Sequence, residues 1–255
     1  MTYYNDRLSS RSKLAVSLAA AVATLLVAAA PATAAPHNTD RFRHRTSARA
    51  AYVDSAVVES RRAESKEIIG DLSLATVTAN AWRWLTTLPF PIFEDTSGAN
   101  CGVAQEGPFW YLAPPFGVSA VTNCTVPSGK TIVAWVAGAG YIWNNCPGDF
   151  DGQPTPNARD LFADSVAPLV DEVVGPAAKL DGQRLRVRRV VSDVFSFTAG
   201  DDWVAIPDGC FTGRPQIGLS DGYFIFIPPL PRGNHTLTMT LHDPATTSIY
   251  NLRIL

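Results

Sequence analysis

The chain has 255 residues, of which 46% are hydrophobic and 10% aromatic, with 21 Lys and Arg against 23 Asp and Glu. That composition excludes a largely disordered chain and supplies enough apolar side chain for a buried core. A formal net charge of −2 offers no field to neutralise phosphates, so nucleic acid is not an expected partner.

The N-terminus has the three parts of a secretory signal: positive charge at Arg7, Arg11 and Lys13, an apolar run from Leu14 to Ala30, then Ala32-Thr33-Ala34. The run is Ala-rich, interrupted by Ser17 and Thr24, and short for a membrane anchor, so cleavage after about residue 35 is expected. Cleavage would remove three cations and one anion, taking 21 and 23 to 18 and 22, a net charge of −4. No second long apolar run follows, which predicts no membrane span in the processed chain and a secreted, extracellular or periplasmic location. Residues 36–72 are polar and rich in Arg and Ala, and read as a flexible N-terminal segment.

The folded region is expected to span 73–255 and to open with a helix. Ser73 can cap it, Leu74, Val77, Ala81, Trp84 or Leu85, and Leu88 repeat at helical spacing, and Pro89 stops it. Trp82 and Trp84 stand about 200° apart on such a helix, placing one towards the core and one nearer the rim. Short apolar runs rich in β-branched and aromatic residues follow, at Phe109–Leu112, Val118–Val126, Thr131–Val136, Tyr141–Trp143, Leu185–Val191, Trp203–Ile206, Tyr223–Ile227, His235–Leu241 and Ile249–Ile254. Runs at this spacing predict a mainly β single domain, an antiparallel β-sandwich or jelly roll. Leu230-Pro231-Arg232-Gly233-Asn234 reads as a tight hairpin connection. One helix interrupts the strands, from a cap at Asn157 through Leu161, Val166 and Val170 to Gly175, with Pro168 bending it.

Cys101, Cys124, Cys146 and Cys210 lie in the region destined for an oxidising compartment, and an even count argues for two disulfides. Three pairings are open; Cys101–Cys124 and Cys146–Cys210 are expected, because near neighbours in a strand-rich segment meet most easily. No spacing suits a metal site, and no cofactor is expected.

Asp95-Thr96-Ser97-Gly98-Ala99-Asn100-Cys101, Gln105-Glu106-Gly107-Pro108-Phe109-Trp110-Tyr111-Leu112-Ala113 and Cys124-Thr125-Val126-Pro127-Ser128-Gly129-Lys130 occur in an order joined later by Leu180-Asp181-Gly182, Ser220-Asp221-Gly222-Tyr223 and Gly233-Asn234-His235-Thr236. In this order of motifs, from Trp82 to Thr240, the chain resembles a family of uncharacterised secreted bacterial proteins. The resemblance implies secretion and a single domain, and it carries no activity. His242-Asp243-Pro244-Ala245 stands where that family has a Gly-rich turn.

Several motifs imitate chemistry. Gly218-Leu219-Ser220-Asp221-Gly222 matches a nucleophile elbow, but a strand ending in prolines follows where a helix is required, so a turn between strands is expected. Asp95-Thr96-Ser97-Gly98 lacks the second copy an aspartic protease needs and reads as an Asx turn. Ser128-Gly129-Lys130-Thr131 lacks the upstream Gly of a phosphate loop, and Asp149-Phe150-Asp151-Gly152-Gln153 lacks the distal Glu of an EF-hand. Arg184, Arg186 and Arg188 alternate with apolar residues, which would put three guanidinium groups on one strand face, where an anionic polymer could bind; balance by carboxylates of neighbouring strands is the preferred reading.

Three functions fit these features. The first is a non-catalytic module binding carbohydrate or a cell-surface component through exposed Trp82, Trp110, Trp143 and Trp203. The second is an extracellular hydrolase or lyase acting on polysaccharide, with Asp95, Glu106, Asp181, Asp221 and His235 as the candidate acid–base groups. The third is a structural envelope protein.

Overall fold

The computed structural model describes residues 66–88, 95–113, 118–143, 167–168, 170–204, 211–242 and 245–255; of 139–143 it describes the backbone only. The described residues open ahead of the expected helix, with a small hairpin of β1 (Ile68–Ile69) and β2 (Leu72–Ser73). Helix α1 (Leu74–Thr87) follows at once. Ser73, in an extended conformation, caps it by accepting from the Thr76 amide, and Leu88 leaves the helix with ψ 146° ahead of Pro89.

Two five-stranded sheets make a β-sandwich. The first runs β3 (Phe109–Leu112), β5 (Thr131–Trp143), β10 (Pro215–Ile227), β8 (Arg188–Val191), with β9 (Phe195–Thr198) also beside β10. The second runs β4 (Ala120–Val126), β12 (Thr246–Ile254), β11 (Gly233–Leu241), β6 (Ala177–Leu180), β7 (Gln183–Leu185). Pairing is antiparallel except at one edge of each sheet, where β3 lies parallel to β5 and β4 parallel to β12.

Over β3 and the facing stretches of β5 and β10, both faces of the first sheet are buried, whereas β9 buries Phe195 and Phe197 and exposes Ser196 and Thr198. Along β3, Phe109 and Tyr111 join one core while Trp110 and Leu112 join the other; Val133 and Trp135 of β5 divide from Ile132, Ala134 and Val136 in the same way. The first core is closed by α1 through Leu74, Val77, Trp82 and Leu85. The second is closed by the inner face of the second sheet, through Val126, Leu237, Met239, Tyr250 and Leu252. The order of layers is therefore helix, sheet, sheet. A strand covered on both sides needs apolar residues at every position, which is why Phe109–Leu112 and Tyr223–Ile227 read as unbroken runs.

Several expected boundaries move. Thr131–Val136 and Tyr141–Trp143 are one strand, β5, and β10 begins at Pro215, well before Tyr223. The Gly218–Gly222 stretch is thus mid-strand and paired with β5, so neither an elbow nor a turn exists there. Glycine is required for close approach instead: a Cβ on Gly138 would sit 2.7 Å from the Asp221 carbonyl oxygen, from the Gly222 Cα and from the Trp135 indole nitrogen. Asp201–Val204 forms a one-turn helix, α2, in place of the strand expected from Trp203. Leu230–Asn234 carries the chain from the first sheet to the second and is not a hairpin. A true hairpin lies at Asp181-Gly182, where φ of 49° and 83° gives the two-residue turn between β6 and β7. The inserted helix lies mostly outside the described residues; Val170 at its end is fully buried and Gly175 has a positive φ.

Inside-out alternation in β11 gives the first prediction. Leu237→Ala, in the core between the sheets, will cost about 2–5 kcal/mol, whereas Thr238→Ala on the outer face will stay within about 0.5 kcal/mol. Urea unfolding of both variants measures it; equal losses would mean the strand is in a different register.

Candidate functional site

Among the described residues, the tryptophans expected to form an exposed platform are buried. Trp82 and Trp110 are 4% and 7% exposed and Trp203 is fully buried, while the Trp143 side chain lies outside the described residues. The cause is the two-sided burial of the first sheet at these positions: Trp110 faces the second sheet, and Trp82 packs tilted against Trp135, with ring centroids 4.4 Å apart, between helix and sheet. Trp84, expected to divide from Trp82, is buried too, its indole N–H donating to the Val103 carbonyl.

Most of the five acid–base candidates serve the backbone or a cation. Asp95 Oδ1 accepts from the amides of Ser97 and Gly98 and from the Ser97 hydroxyl, and Oδ2 accepts from the Asn100 amide at 2.8 Å. Burial pushes its carboxyl up, but those hydrogen bonds outweigh it and hold the group below the usual carboxylate range. The turn so built presents Cys101 to Cys124, which are joined as a disulfide; Cys146 and Cys210 lie outside the described residues. The void beside Asp95, lined by Trp84, Tyr111 and Tyr250, is about 10 Å³, room for one water and no substrate. Glu106 is exposed in the turn before β3.

Asp221 is fully buried and takes the Arg189 guanidinium in a bidentate grip, with Nε at 2.9 Å and Nη2 at 2.7 Å. The same guanidinium reaches Asp171 and donates to the Ala167 carbonyl, tying residues 167–171 to the first sheet. A buried carboxylate so matched holds a joint together and has no lone pair facing solvent. Arg184, Arg186 and Arg188 do not share a strand face, because β7 ends at Leu185 and β8 starts at Arg188 in the other sheet; Arg188 pairs with Glu67.

Asp181 and His235 are the two candidates in direct contact. Asp181 Oδ2 lies 2.7 Å from His235 Nδ1, Oδ1 accepts from the Thr236 amide, and His235 Nε2 is 3.0 Å from the Pro231 carbonyl. Hydrogen bonding to Asp181, helped by Pro231, raises the His235 pKa, and hydrogen bonding from His235 and the Thr236 amide lowers that of Asp181. The protonated ring donates from both nitrogens, so it has no free lone pair for general-base work. The pair is a clasp that pins the crossing between sheets onto the β6–β7 turn. Among the described residues, no group of three His, Cys, Asp or Glu side chains could hold a metal ion, and no helix is long and apolar enough to cross a membrane.

The outer face of the second sheet remains. Because Val126, Leu237, Tyr250 and Leu252 point inward, their neighbours point out, and strand register places them in rows. Asn123, Asn251 and Thr236 form one row across three strands, with Asn251 Nδ2 donating to Asn123 Oδ1 at 3.1 Å. Thr125, Arg253 and Asn234 form the next. These two rows line a shallow depression of about 470 Å³. A second hollow, about 640 Å³, lies over β6, β7 and β11 and is edged by Lys179, Arg184 and His242. The sequence did carry the signal for this face, the alternation T-L-T-M-T of β11 and its counterpart in β12, with polar residues on the solvent side.

Two outcomes follow from these joints. Arg189→Met, which strands the Asp221 carboxylate without its bidentate partner, will cost about 3–5 kcal/mol in urea unfolding; a loss below about 1 kcal/mol would show that the grip carries nothing. The clasp's contribution, at most about 1 kcal/mol since Asp181 is half exposed, depends on pH at both ends. It declines as pH rises through the raised His235 pKa above about 6.5, and as pH falls through the lowered Asp181 pKa below about 3.9. The stability difference between the wild type and His235→Gln will therefore peak between those values, and a difference flat with pH would exclude the clasp.

Comparison with protein-family models, with curated proteins and with solved structures finds no match.

Proposed function

We propose that this is an exported, non-catalytic module that binds carbohydrate on the outer face of the second sheet. The observation that carries the reading is the layer order. Helix α1 packs on one side of the first sheet and the second sheet on the other, so that among the described residues the outer face of the second sheet is left as a broad regular surface. That surface presents side-chain amides and hydroxyls from Asn123, Asn234, Asn251, Thr236 and Thr238 on rigid, mutually hydrogen-bonded strands. Groups of this kind match the hydroxyls of a sugar chain, and strands hold them more firmly than loops would.

The export part of the reading is supported by the signal-like N-terminus and by the Cys101–Cys124 bridge, a bond that persists outside reducing compartments. Against the hydrolase alternative stand the candidate acids and base themselves. Asp95 is committed to a turn, Asp221 to Arg189, and His235 to Asp181 and Pro231. A glycosidase needs two carboxylates facing each other across a cleft.

The test is a panel of immobilised polysaccharides, with released reducing sugar measured on every hit. Binding without turnover is expected. Asn251→Trp, at the centre of the polar row, will change binding at least tenfold while Tm stays within about 2 °C, since the position is exposed. Sugar release that survives purification would overturn the reading in favour of the enzyme, and binding indifferent to Asn251→Trp would move the site off this face.

A further inference from the structure

The hollow edged by Lys179, Arg184 and His242 sits on an electrostatic oddity. Lys179 and Arg184 are directly opposite each other across the β6–β7 pair, both exposed and both outward, since Ala178 and Leu185 fill the inward positions. Like charges placed so are mildly repulsive. Neither has a carboxylate partner among the described residues, and neither does Arg253, exposed two strands away on β12. Asp181, the carboxylate at the end of the same strand, is already taken by His235. An acidic chain thus gathers, on the outer face of the second sheet, cations that have no carboxylate partner among the described residues.

Resting on the carbohydrate reading above, we infer that this face takes an acidic polysaccharide whose carboxylates pair with Lys179 and Arg184 at one end and Arg253 at the other. Charge complementarity selects the anion. Register selects a polymer: Arg253 lies four residues along and two strands across from Lys179, roughly 17 Å by strand geometry. One small anion cannot span that. Along the row that starts at Lys179 the face is not charged but carries Thr238, Ile249 and Val121 on successive strands, while Leu185 and Val187, at the edge of the hollow, turn towards the core between the sheets. Hydroxyls and aliphatic patches suit the edges and C–H faces of sugar rings. They offer no aromatic side chain on which a nucleic acid base could stack.

The experiment uses the full processed chain and four probes: polygalacturonate, the same polymer with its carboxylates methyl-esterified, linear polyphosphate and duplex DNA. Binding is measured at about 50 and about 200 mM NaCl, where screening separates ionic from neutral contacts. Polygalacturonate is expected to bind at least tenfold tighter than its ester, to weaken at the higher salt, and to lose at least tenfold in affinity with Lys179→Gln/Arg184→Gln. Equal affinity for acid and ester would overturn this inference and leave the carbohydrate reading standing, whereas binding to neither would sink both. Polyphosphate or DNA bound as tightly as polygalacturonate would overturn the assignment to a carboxylated sugar. The ester and salt comparisons use the wild-type chain, so the test survives even if the double variant fails to fold.

Discussion

The antiparallel pairing of β5 and β10 is the constraint on which the rest of the molecule hangs. Eleven residue pairs run from Ile217↔Trp143 to Ile227↔Ile132, and along Ile132–Val136 and Tyr223–Ile227 successive residues face opposite cores. Strands covered on both sides bury all their apolar area, and at about 25 cal/mol per Å² this is the largest favourable contribution the chain can make. Two further layers are required to cover them, α1 on one side and the second sheet on the other. The glycines at 138 and 222 belong to the same constraint, since the two backbones approach more closely there than any Cβ would allow.

Edges and joints then have to be closed, and polar side chains do it. Gln105 is the clearest case: its amide oxygen accepts from the Tyr111 N–H while its amide nitrogen donates to the Tyr111 and Cys101 carbonyls. It occupies the open side of β3 as a neighbouring strand would, which protects an apolar edge from pairing with another chain. The Asp95 turn does the same for β4, where the Asn123 amide donates to the Ser97 carbonyl. Tyr250, buried between the sheets, donates to the Ala113 carbonyl at 2.6 Å and so fixes the chain as it leaves β3 for the second sheet. Residues that look like chemistry in the sequence are here the fittings of a sandwich whose strands repeatedly switch sheets.

The legible part of the fold was the part set by local pattern. The cap at Ser73, the helical spacing to Leu88 and the β-branched runs identified α1 and most strands, and neighbouring cysteines pointed to the Cys101–Cys124 bridge. What misled was glycine. Gly138, Gly140, Gly218 and Gly222 interrupt two long strands and read as turns, because glycine's role in close strand approach is a property of the partner strand and not of its own neighbourhood. The same holds for tryptophan. A Trp beside polar residues looks exposed until the layer that covers it is known, and nothing within Phe109–Leu112 says that a helix lies on one side and a sheet on the other. The difference between unbroken and alternating runs did contain that information, for β11 and β12 alternate where β3 does not.

The contrast between the two sets of charges carries the functional argument furthest. Where a charged side chain sits at a joint, it is matched: Arg189 with Asp221 and Asp171, Arg188 with Glu67, His235 with Asp181. For Arg189 and Asp221 burial enforces this, because an unpaired ion away from water costs several kcal/mol. On the outer sheet face burial enforces nothing, and a repulsive exposed pair such as Lys179 and Arg184 costs only tenths of a kcal/mol. Stability is thus nearly indifferent to what stands there. The net negative charge of the chain would repel a polyanion at long range, but at physiological salt the screening length is about 8 Å, shorter than the width of the face. A carboxylated polymer would therefore meet the local positive sign first, on a surface whose residues the fold itself leaves free to vary.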